Sequence, residues 1–384
     1  MITGWFQYTC FVGGTLMPAF LLSLGLTWLM IRWSPVLGLV DRPTVRKNHT
    51  KVTPLGGGLA IAGATLLWFA AFSLALLFAQ SLLAGWLPES LRLHLPGAVA
   101  KLDSLWLILS AALGICLVGL IDDRWGLPWQ LRLAIQFGLA ALCVWWQGWR
   151  LTAFINIPML TAGLSVIWIV ALINSFNMLD NMDGLSAGVA TIVSISLATF
   201  LLVTSESANG APQYFVAGLL LVVAGSLGGF LVFNRPPAQI FMGDTGSFFV
   251  GFIVAVATLL ATYTGYQTEE IHRILAAPLT LAVPFYDMTS VIWIRLREGR
   301  SPFQADRCHL SHRLENMGMS RPQAVVAIYL LTGICGLCAV TLSFVPMAGA
   351  LLLVGIVLLV LLLVAMLEHA GSQRRAIEKT GQGQ

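Results

Sequence analysis

The sequence predicts an all-α integral membrane protein with about eleven transmembrane helices. Of its 384 residues, 58% are hydrophobic and only 10% are charged, whereas soluble domains carry about 25% charged residues. The mean hydropathy of +0.84 agrees with that contrast. Apolar runs recur along the chain, and a helix needs roughly 20 apolar residues to cross the hydrocarbon core. Most of the chain is therefore expected to be surrounded by lipid.

Eleven apolar segments can be placed, and we expect them to form one transmembrane domain over residues 1–384. Backbone polar groups must be paired within a lipid-exposed segment, so each segment is predicted to be a helix. The first is expected to be retained, because the basic region and cleavage site of a signal peptide do not precede it. The segments lie near residues 9–33, 58–80, 103–121, 129–148, 159–175, 185–204, 214–233, 246–264, 275–295, 323–344 and 348–367.

The basic residues predict the orientation of these helices. Loops after odd-numbered segments, together with the C-terminal tail at 369–384, hold 17 of the 21 Lys and Arg residues, and the opposite loops hold four. Short loops rich in Lys and Arg stay on the cytoplasmic side. The N-terminus is therefore expected outside and the C-terminus in the cytoplasm.

Acidic and Gly-rich motifs gather in the same predicted cytoplasmic loops, near 34–57, 122–128, 174–184, 234–246 and 296–322. This convergence predicts an active site built across one end of a helix bundle. Seven aspartates belong to that side: Asp41, Asp122, Asp123, Asp180, Asp183, Asp244 and Asp306.

Two adjacent carboxylates, Asp122 and Asp123, end the third apolar segment. Carboxylates at a membrane boundary are costly unless they are hydrated, paired or bound to a metal. Two interpretations stay open from these residues alone. One is a charged helix tip that reaches water, and the other is a magnesium or general-base site.

The loop at 174–184 is rich in oxygen ligands. Asn174, Asn177, Asp180 and Asp183 recur every three residues, and on a helix this spacing would place them along one face. Such a set suits magnesium together with a phosphate or nucleotide. Helix capping by Asn or Asp would explain one or two of these residues, so we favour the functional interpretation.

The loop at 234–246 ends in Gly-Asp-Thr-Gly-Ser, with Asp244 just before an apolar segment. Backbone N–H groups at a helix start, with one carboxylate, would suit an anion held beside a metal. An ordinary N-cap is the alternative.

The first loop carries Arg46, Lys47 and Lys51 before the glycine run at 56–58. A basic segment followed by glycines would approach phosphates closely. Positive-inside topology with a flexible turn explains the same residues, and from this loop alone we prefer that explanation.

The loop at 296–322 contains Asp306, His309 and His312 at intervals of three. They would form a transition-metal face, or the two imidazoles would join Arg313 at a pyrophosphate. We prefer phosphate contact, because the other loops are rich in oxygen ligands. Asp287 lies inside the ninth segment, as a functional acid or as a structural partner of another helix, and both interpretations stay open.

Together the motifs resemble the polyprenyl-phosphate N-acetylhexosamine-1-phosphate transferase family, a cousin of the phospho-MurNAc-pentapeptide transferases. The match runs from about Asp41 to Gly318, and DRPTVRKNH and SPFQADRCHLSHRL are similar to signatures of the UDP-GlcNAc-using branch. The resemblance implies transfer of GlcNAc-1-phosphate from UDP-GlcNAc to undecaprenyl phosphate, with release of UMP. It would be the first membrane step of a cell-envelope polysaccharide, such as lipopolysaccharide or teichoic acid.

The resemblance also implies the partners. They are Mg²⁺, with Mn²⁺ as an alternative, a UDP-sugar, a polyprenyl phosphate and the lipid bilayer, with no nucleic acid. The active site would face the cytoplasm from the bacterial cytoplasmic (inner) membrane. A homodimer is compatible with such a bundle.

Residue roles follow from the same resemblance. The implied catalytic residues are Asp122, Asp123 and Asp180, and the implied metal ligands are Asp244 and Asp123. The nucleotide would meet Asn177, Asp183, Asn234, Phe241 and Lys51. The sugar and its phosphate would meet His309, His312, Arg313, Arg46 and Lys47.

Four residues depart from the family pattern. Arg132 stands where Lys is usual and keeps the positive charge. Gln239 also stands where Lys is usual, and there the positive charge is lost. Ser311 replaces a His of the usual cluster, and Asn181 replaces a common Gly. The Gln239 and Ser311 changes bear on the identity of the sugar more than on the reaction class.

Three other functions are compatible with parts of the sequence. Within the enzymes, the alternatives are another UDP-N-acetylhexosamine or UDP-MurNAc-pentapeptide as donor. Outside them, the alternative is a polytopic transporter. Transporters place their sites near the bilayer midplane, whereas the charged motifs here gather at one predicted face.

Overall fold

The computed structural model describes residues 2–42, 52–148, 157–204, 213–264, 271–304 and 306–381. The helices are α1 (Ile2–Trp33), α2 (Gly57–Phe78), α3 (Gln80–Trp86), α4 (Glu89–Arg92), α5 (Leu95–Ala100), α6 (Leu102–Trp125), α7 (Trp129–Gln147), α8 (Pro158–Leu179), α9 (Leu185–Val203), α10 (Tyr214–Asn234), α11 (Gly243–Thr264), α12 (Ala276–Thr280), α13 (Ala282–Arg297), α14 (Leu310–Asn316), α15 (Arg321–Thr341) and α16 (Met347–Gly381). Short 3-10 helices lie at Ile271–Leu275 and Leu342–Phe344, and the two strands are β1 (Val40–Asp41) and β2 (Thr53–Pro54).

Each predicted apolar segment coincides with a helix. Within the described ranges, nine helices are long and apolar enough to span a membrane, and the bent pair of Ile271–Thr280 and α13 makes ten if it is counted as one span. At the fourth predicted segment, α7 is a helix of 19 residues that carries Arg132. The prediction of an all-α polytopic membrane protein is confirmed, and the orientation of its termini stays a prediction.

The ninth predicted segment is broken where a continuous helix was expected. The segment Ile271–Thr280, a 3-10 helix followed by α12, meets α13 at Leu281 with a bend of 60°. Pro284 lies in the first turn of α13, where its missing N–H is tolerated. Its ring would clash with the carbonyl of Thr280 in a continuous helix, which accounts for the break.

Helix α11 forms the centre of the bundle. Of its membrane-spanning residues, 83% are buried, against 11% in α16 at the periphery. Phe248, Phe249 and Phe252 of α11 have no exposed surface. Because α11 packs against α2, α6 and α8, its first turn lies where the ends of those helices meet.

Strands β1 and β2 form a small antiparallel hairpin in which Val40 lies opposite Pro54. The Phe241 N–H donates to the Pro54 carbonyl at 2.8 Å, and the Gly57 N–H donates to the Phe241 carbonyl at 3.1 Å. The described ends of the first loop are therefore held against the segment that leads into α11.

Candidate active site

The first turn of α11 is capped by a carboxylate from another helix. Asp123, near the end of α6, accepts the N–H of Asp244 at 2.8 Å, the N–H of Thr245 at 3.0 Å and the Thr245 hydroxyl at 2.6 Å. A carboxylate at a helix N-terminus satisfies orphan N–H groups and complements the helix dipole. The N-cap of this helix, the alternative considered for the 234–246 loop, is thus supplied by Asp123 of another helix.

Glycines permit this close approach. A Cβ on Gly119 of α6 would lie 2.4 Å from the Asp244 carbonyl oxygen, and one on Gly243 would lie 2.5 Å from the Asp123 carboxylate. Gly243 also has φ of +69°, a conformation that glycine adopts without steric strain. These two glycines let α6 deliver its aspartates directly to the start of α11.

Arg132 of α7 joins the two remaining carboxylates. Its Nη1 lies 2.6 Å from Asp122 Oδ2 and 3.1 Å from Asp244 Oδ2. The other Asp122 oxygen accepts the Leu127 N–H at 2.6 Å. The Arg132 side chain is 28% exposed, so the bridge lies at the solvent boundary rather than in the core.

Asn177, in the last turn of α8, completes this cluster. Its Nδ2 donates to Asp244 Oδ1 at 2.7 Å and contacts Ser247 Oγ at 3.1 Å. One turn earlier, Asn174 donates to Gln136 of α7 at 2.7 Å. Both Asp244 oxygens are therefore held in place by neighbouring helices.

Asp180 and Asp183 do not share a helical face with the asparagines as the spacing predicted. Helix α8 ends at Leu179, and both acids lie in the turn that follows. Burial, with the nearby charges of Asp123 and Asp183, raises the pKa of Asp180 to about 7. Asp183 accepts the Ala238 N–H at 2.9 Å, so this turn is joined to the loop before α11.

Asn234, expected at the nucleotide, is 3% exposed. Its Oδ1 accepts the Gly184 N–H at 2.9 Å and its Nδ2 donates to the Ile240 carbonyl at 2.8 Å. These bonds hold the loop in shape. The half-buried Phe241 follows in the same loop, and Gln239 is exposed.

The transition-metal face, the alternative not preferred for the fifth loop, does not form among the described residues. Asp306 lies in an irregular segment, where it accepts a fork from Arg295 at 3.0 and 3.1 Å and a third bond from Arg300 at 2.7 Å. Burial alone would raise the pKa of Asp306, but these bonds outweigh it and hold the pKa well below its usual range. Asp306 thus anchors the loop to α13.

The two histidines are three residues apart in the chain and have different partners. His309 Nδ1 lies 2.9 Å from Asp287 Oδ2, and the other Asp287 oxygen accepts the Leu310 N–H at 2.6 Å. His312 Nδ1 lies 3.3 Å from Glu315. Asp287, whose role stayed open, is therefore the partner of His309 inside the bundle.

Arg313, expected at the sugar phosphate, is held by protein groups. Its Nε lies 3.0 Å from Glu368 of α16, and it also donates to the Cys308 carbonyl at 2.6 Å and to Ser290 Oγ at 2.8 Å. Arg46, Lys47 and Lys51 lie outside the described residues.

Sequence reasoning missed three contacts: Arg132 between two acids, Asp287 with His309, and Ser311 Oγ with Asn181 Oδ1 at 2.5 Å. The sequence did mark the residues of two of these contacts, because Arg132, Asn181 and Ser311 all depart from the family pattern. The Asp287 contact had only the position of an acid inside an apolar segment.

The acids around Asp244 are the candidate ligands of a divalent cation. Among the described residues, no three His, Cys, Asp or Glu side chains form a ready-made metal site. Carboxylates nevertheless gather around Asp244, since Arg132 bridges it to Asp122 and Asp123 binds its backbone N–H. Hard oxygen ligands with excess negative charge fit Mg²⁺ bound through one or two carboxylates and substrate phosphates.

Residues 105–262 match the family described as Glycosyl transferase family 4. A Bacillus subtilis (strain 168) protein named probable undecaprenyl-phosphate N-acetylglucosaminyl 1-phosphate transferase is 31% identical over 362 residues, covering 90% of each chain. A Mycobacterium leprae (strain TN) decaprenyl-phosphate N-acetylglucosaminephosphotransferase is 32% identical, covering 85% of this chain and 84% of its own. An Escherichia coli (strain K12) undecaprenyl-phosphate alpha-N-acetylglucosaminyl 1-phosphate transferase is 28% identical, covering 81% and 79%. The similarity therefore extends over most of the chain.

Proposed function

We propose a reaction for this chain from one premise: it belongs to glycosyl transferase family 4. It is a multi-pass membrane enzyme of the phosphoglycosyl transferase type, which sets the transporter alternative aside. The reaction is transfer of GlcNAc-1-phosphate from UDP-GlcNAc to a polyprenyl phosphate, giving polyprenyl-diphosphate-GlcNAc and UMP. The acceptor and the sugar are those in the names of the similar proteins.

One observation carries the proposal. Asp122 at the end of α6, Arg132 at the start of α7, Asn177 at the end of α8 and Asp244 at the start of α11 meet in a chain of direct contacts of 2.6 to 3.1 Å. Four helices thus bring acids, a cation and a carboxamide to one end of the bundle. This arrangement supports transfer between phosphates at a membrane surface.

In the proposed step, an oxygen of the lipid phosphate attacks the β-phosphorus of UDP-GlcNAc. The new P–O bond replaces the bond to the oxygen that bridges the two phosphates, and that oxygen leaves with UMP. Asp122 accepts a proton from the lipid phosphate or orients it, and Arg132 balances the charge that gathers beside Asp122 and Asp244. The alternative is an aspartyl-phosphate intermediate, which a single-turnover search for phosphorylated protein would reveal.

The cation belongs to the same proposal. Asp244 would be its principal ligand with Asp123 nearby, and Mn²⁺ is the alternative to Mg²⁺. When bound, the ion would neutralise the pyrophosphate and stabilise the leaving phosphate. Asp180, Asp183 and Phe241 would face the nucleotide, and His309 and His312 would face the sugar phosphate.

The membrane setting completes the proposal. The bundle would lie in the bacterial cytoplasmic membrane with the Asp244 cluster and the 369–384 tail in the cytoplasm and the N-terminus outside, as the basic residues suggest. A homodimer is the assembly to test, by light scattering of the detergent-solubilised protein.

The deciding experiment uses purified protein in detergent with undecaprenyl phosphate, Mg²⁺ and UDP-GlcNAc. We expect UMP release that requires the lipid and the cation, together with a lipid-linked GlcNAc product. Activity with a different UDP-sugar alone would keep the reaction and reassign the donor. Folded protein that is silent with every UDP-sugar would overturn the proposal.

A further inference from the structure

We propose that Glu368, in the last helix α16, is a positioning residue for the transfer reaction. It holds Arg313, and through Arg313 it fixes the segment that carries His309 and His312. The inference rests on the proposed function for its kinetic consequence, but the contact itself can be tested without activity.

Both carboxylate oxygens of Glu368, near the end of the apolar part of α16 (Met347–Gly371), have hydrogen-bond partners. One carboxylate oxygen accepts Arg313 Nε at 3.0 Å, and the other accepts the Tyr286 hydroxyl at 2.8 Å. The Glu368 and Arg313 side chains are only 10% and 14% exposed. A largely buried ion pair with its remaining hydrogen bonds satisfied is specific in geometry, and removal of one partner leaves an uncompensated charge.

The rest of the Arg313 guanidinium connects three parts of the fold. Nη1 donates to the carbonyl of Cys308, the residue before His309, and Nη2 donates to Ser290 on α13. The planar guanidinium has donors in fixed directions. Glu368 therefore orients the Arg313 guanidinium, and the guanidinium in turn holds the backbone at Cys308, just before His309.

The segment has a second anchor in Asp287, so loss of the Arg313 contacts should change its position without unfolding it. Asp287 binds the His309 ring and the Leu310 N–H from α13, so the start of α14 is held on one side by Asp287 and on the other by Arg313. With the Arg313 side released, the segment is expected to pivot rather than unfold.

The location of α16 argues for positioning over core stability. Only 11% of its membrane-spanning residues are buried, and Leu351, Leu352 and Leu359 are all more than half exposed, as expected for side chains that face lipid. Its contact with α14 places a buried, paired carboxylate beside the candidate site.

The test compares Glu368→Gln with a matched control, Glu298→Gln. Glu298 also pairs with an arginine, Arg300, but its side chain is 53% exposed, and exposed pairs contribute little. Because Glu368→Gln removes the charge that orients the Arg313 guanidinium, it should raise the KM for UDP-GlcNAc by about tenfold or more. The KM for undecaprenyl phosphate should change by less than about threefold, and the control should match wild type.

A double-mutant cycle separates positioning from damage. If Glu368 acts through Arg313, the Arg313→Gln/Glu368→Gln pair should raise the KM for UDP-GlcNAc no further than the worse single variant. Additive effects would overturn the inference. A loss confined to kcat, with a lower apparent Tm, would also overturn it, because that is the result of general destabilisation.

Thiol labelling of Cys308 provides the readout that needs no activity. Glu368→Gln should accelerate maleimide labelling of Cys308, measured by peptide mass spectrometry. Because Arg300, the partner of Glu298, also contacts Cys308 Sγ at 3.5 Å, the control for this readout is Glu89→Gln, at an exposed glutamate of α4, which should leave the rate unchanged. An unchanged rate in Glu368→Gln would refute the contact. If wild type is inert with every UDP-sugar, the proposed function fails, and the labelling still decides whether Glu368 holds the segment.

Discussion

Substitution of Asp123 is the most direct test of how the site is built, because the adjacent Asp122 has the same side chain but contacts a different residue. Asp123→Asn keeps the size of the side chain but replaces one acceptor oxygen with an N–H₂ donor. Its three bonds come from two backbone N–H groups and one hydroxyl at the start of α11. At least one of those donors would then face another donor.

The expected cost can be estimated from these contacts. A hydrogen bond to a charged group contributes roughly 1.5–3 kcal/mol, and loss of a helix N-cap costs about 0.5–2 kcal/mol. The hydrogen bonds to Asp123 are themselves the N-cap, so the two contributions are not added in full. Asp123→Asn should therefore lower the free energy of unfolding by about 3 kcal/mol, a factor of roughly 10² in the equilibrium constant. Because α11 is the central helix, the loss should lower the stability of the whole bundle.

The assay is thermal unfolding in detergent, followed by tryptophan fluorescence. Asp123→Asn should lower the apparent Tm by roughly 5 °C or more. Asp103→Asn is the matched control, because Asp103 is exposed and lies in the first turn of the same helix, so its Tm should stay within about 2 °C of wild type. An unchanged Tm for Asp123→Asn with lost turnover would refute the cap and place Asp123 at metal or substrate.

Three further outcomes are expected. Asp244→Asn should reduce UMP release by orders of magnitude with an unchanged elution volume on size exclusion, and near-wild-type turnover would remove it from the metal site. Arg132→Lys should retain turnover within about tenfold, whereas Arg132→Gln should lose about 10² or more in kcat/KM, because Asp122 and Asp244 would face each other without a cation. Burial lowers the pKa of His312, with His309 and Arg307 acting in the same direction and Glu315 opposing. The neutral imidazole is therefore favoured on folding, and its contribution to stability is lost as pH falls below about 6.5 through the lower folded value. His312→Gln should flatten the acid limb of apparent Tm against pH, and an unchanged limb would contradict this.

The membrane architecture was predictable because lipid leaves few choices. An apolar segment that cannot bond its backbone to water must become a helix, so the segments could be placed to within a few residues. The break at Leu281 was less visible, since Pro284 is tolerated in the first turn of a helix as well as at a bend.

The partners of the site residues were harder to predict. Successive residues on a helix point about 100° apart, so Asp122 reaches Arg132 while Asp123 reaches the start of α11. Spacing alone could not assign those two directions. Likewise, Arg313 was expected at a phosphate, and its contact with Glu368 joins residues 55 positions apart, a distance over which no local pattern operates.

The bond between Ser311 and Asn181 has a consequence for natural variation. Both residues depart from the family pattern, in which His and Gly are usual, and they contact each other at 2.5 Å. Ser311 is 1% exposed, so an imidazole there needs the room that glycine at 181 would leave, and a small residue there needs the asparagine to fill that room. The two positions should therefore be inherited as a unit, either His with Gly or a small hydroxyl residue with Asn. Frequent mixed pairs in an alignment of relatives would contradict this, and a strict pairing would make the two positions a marker for sorting family members.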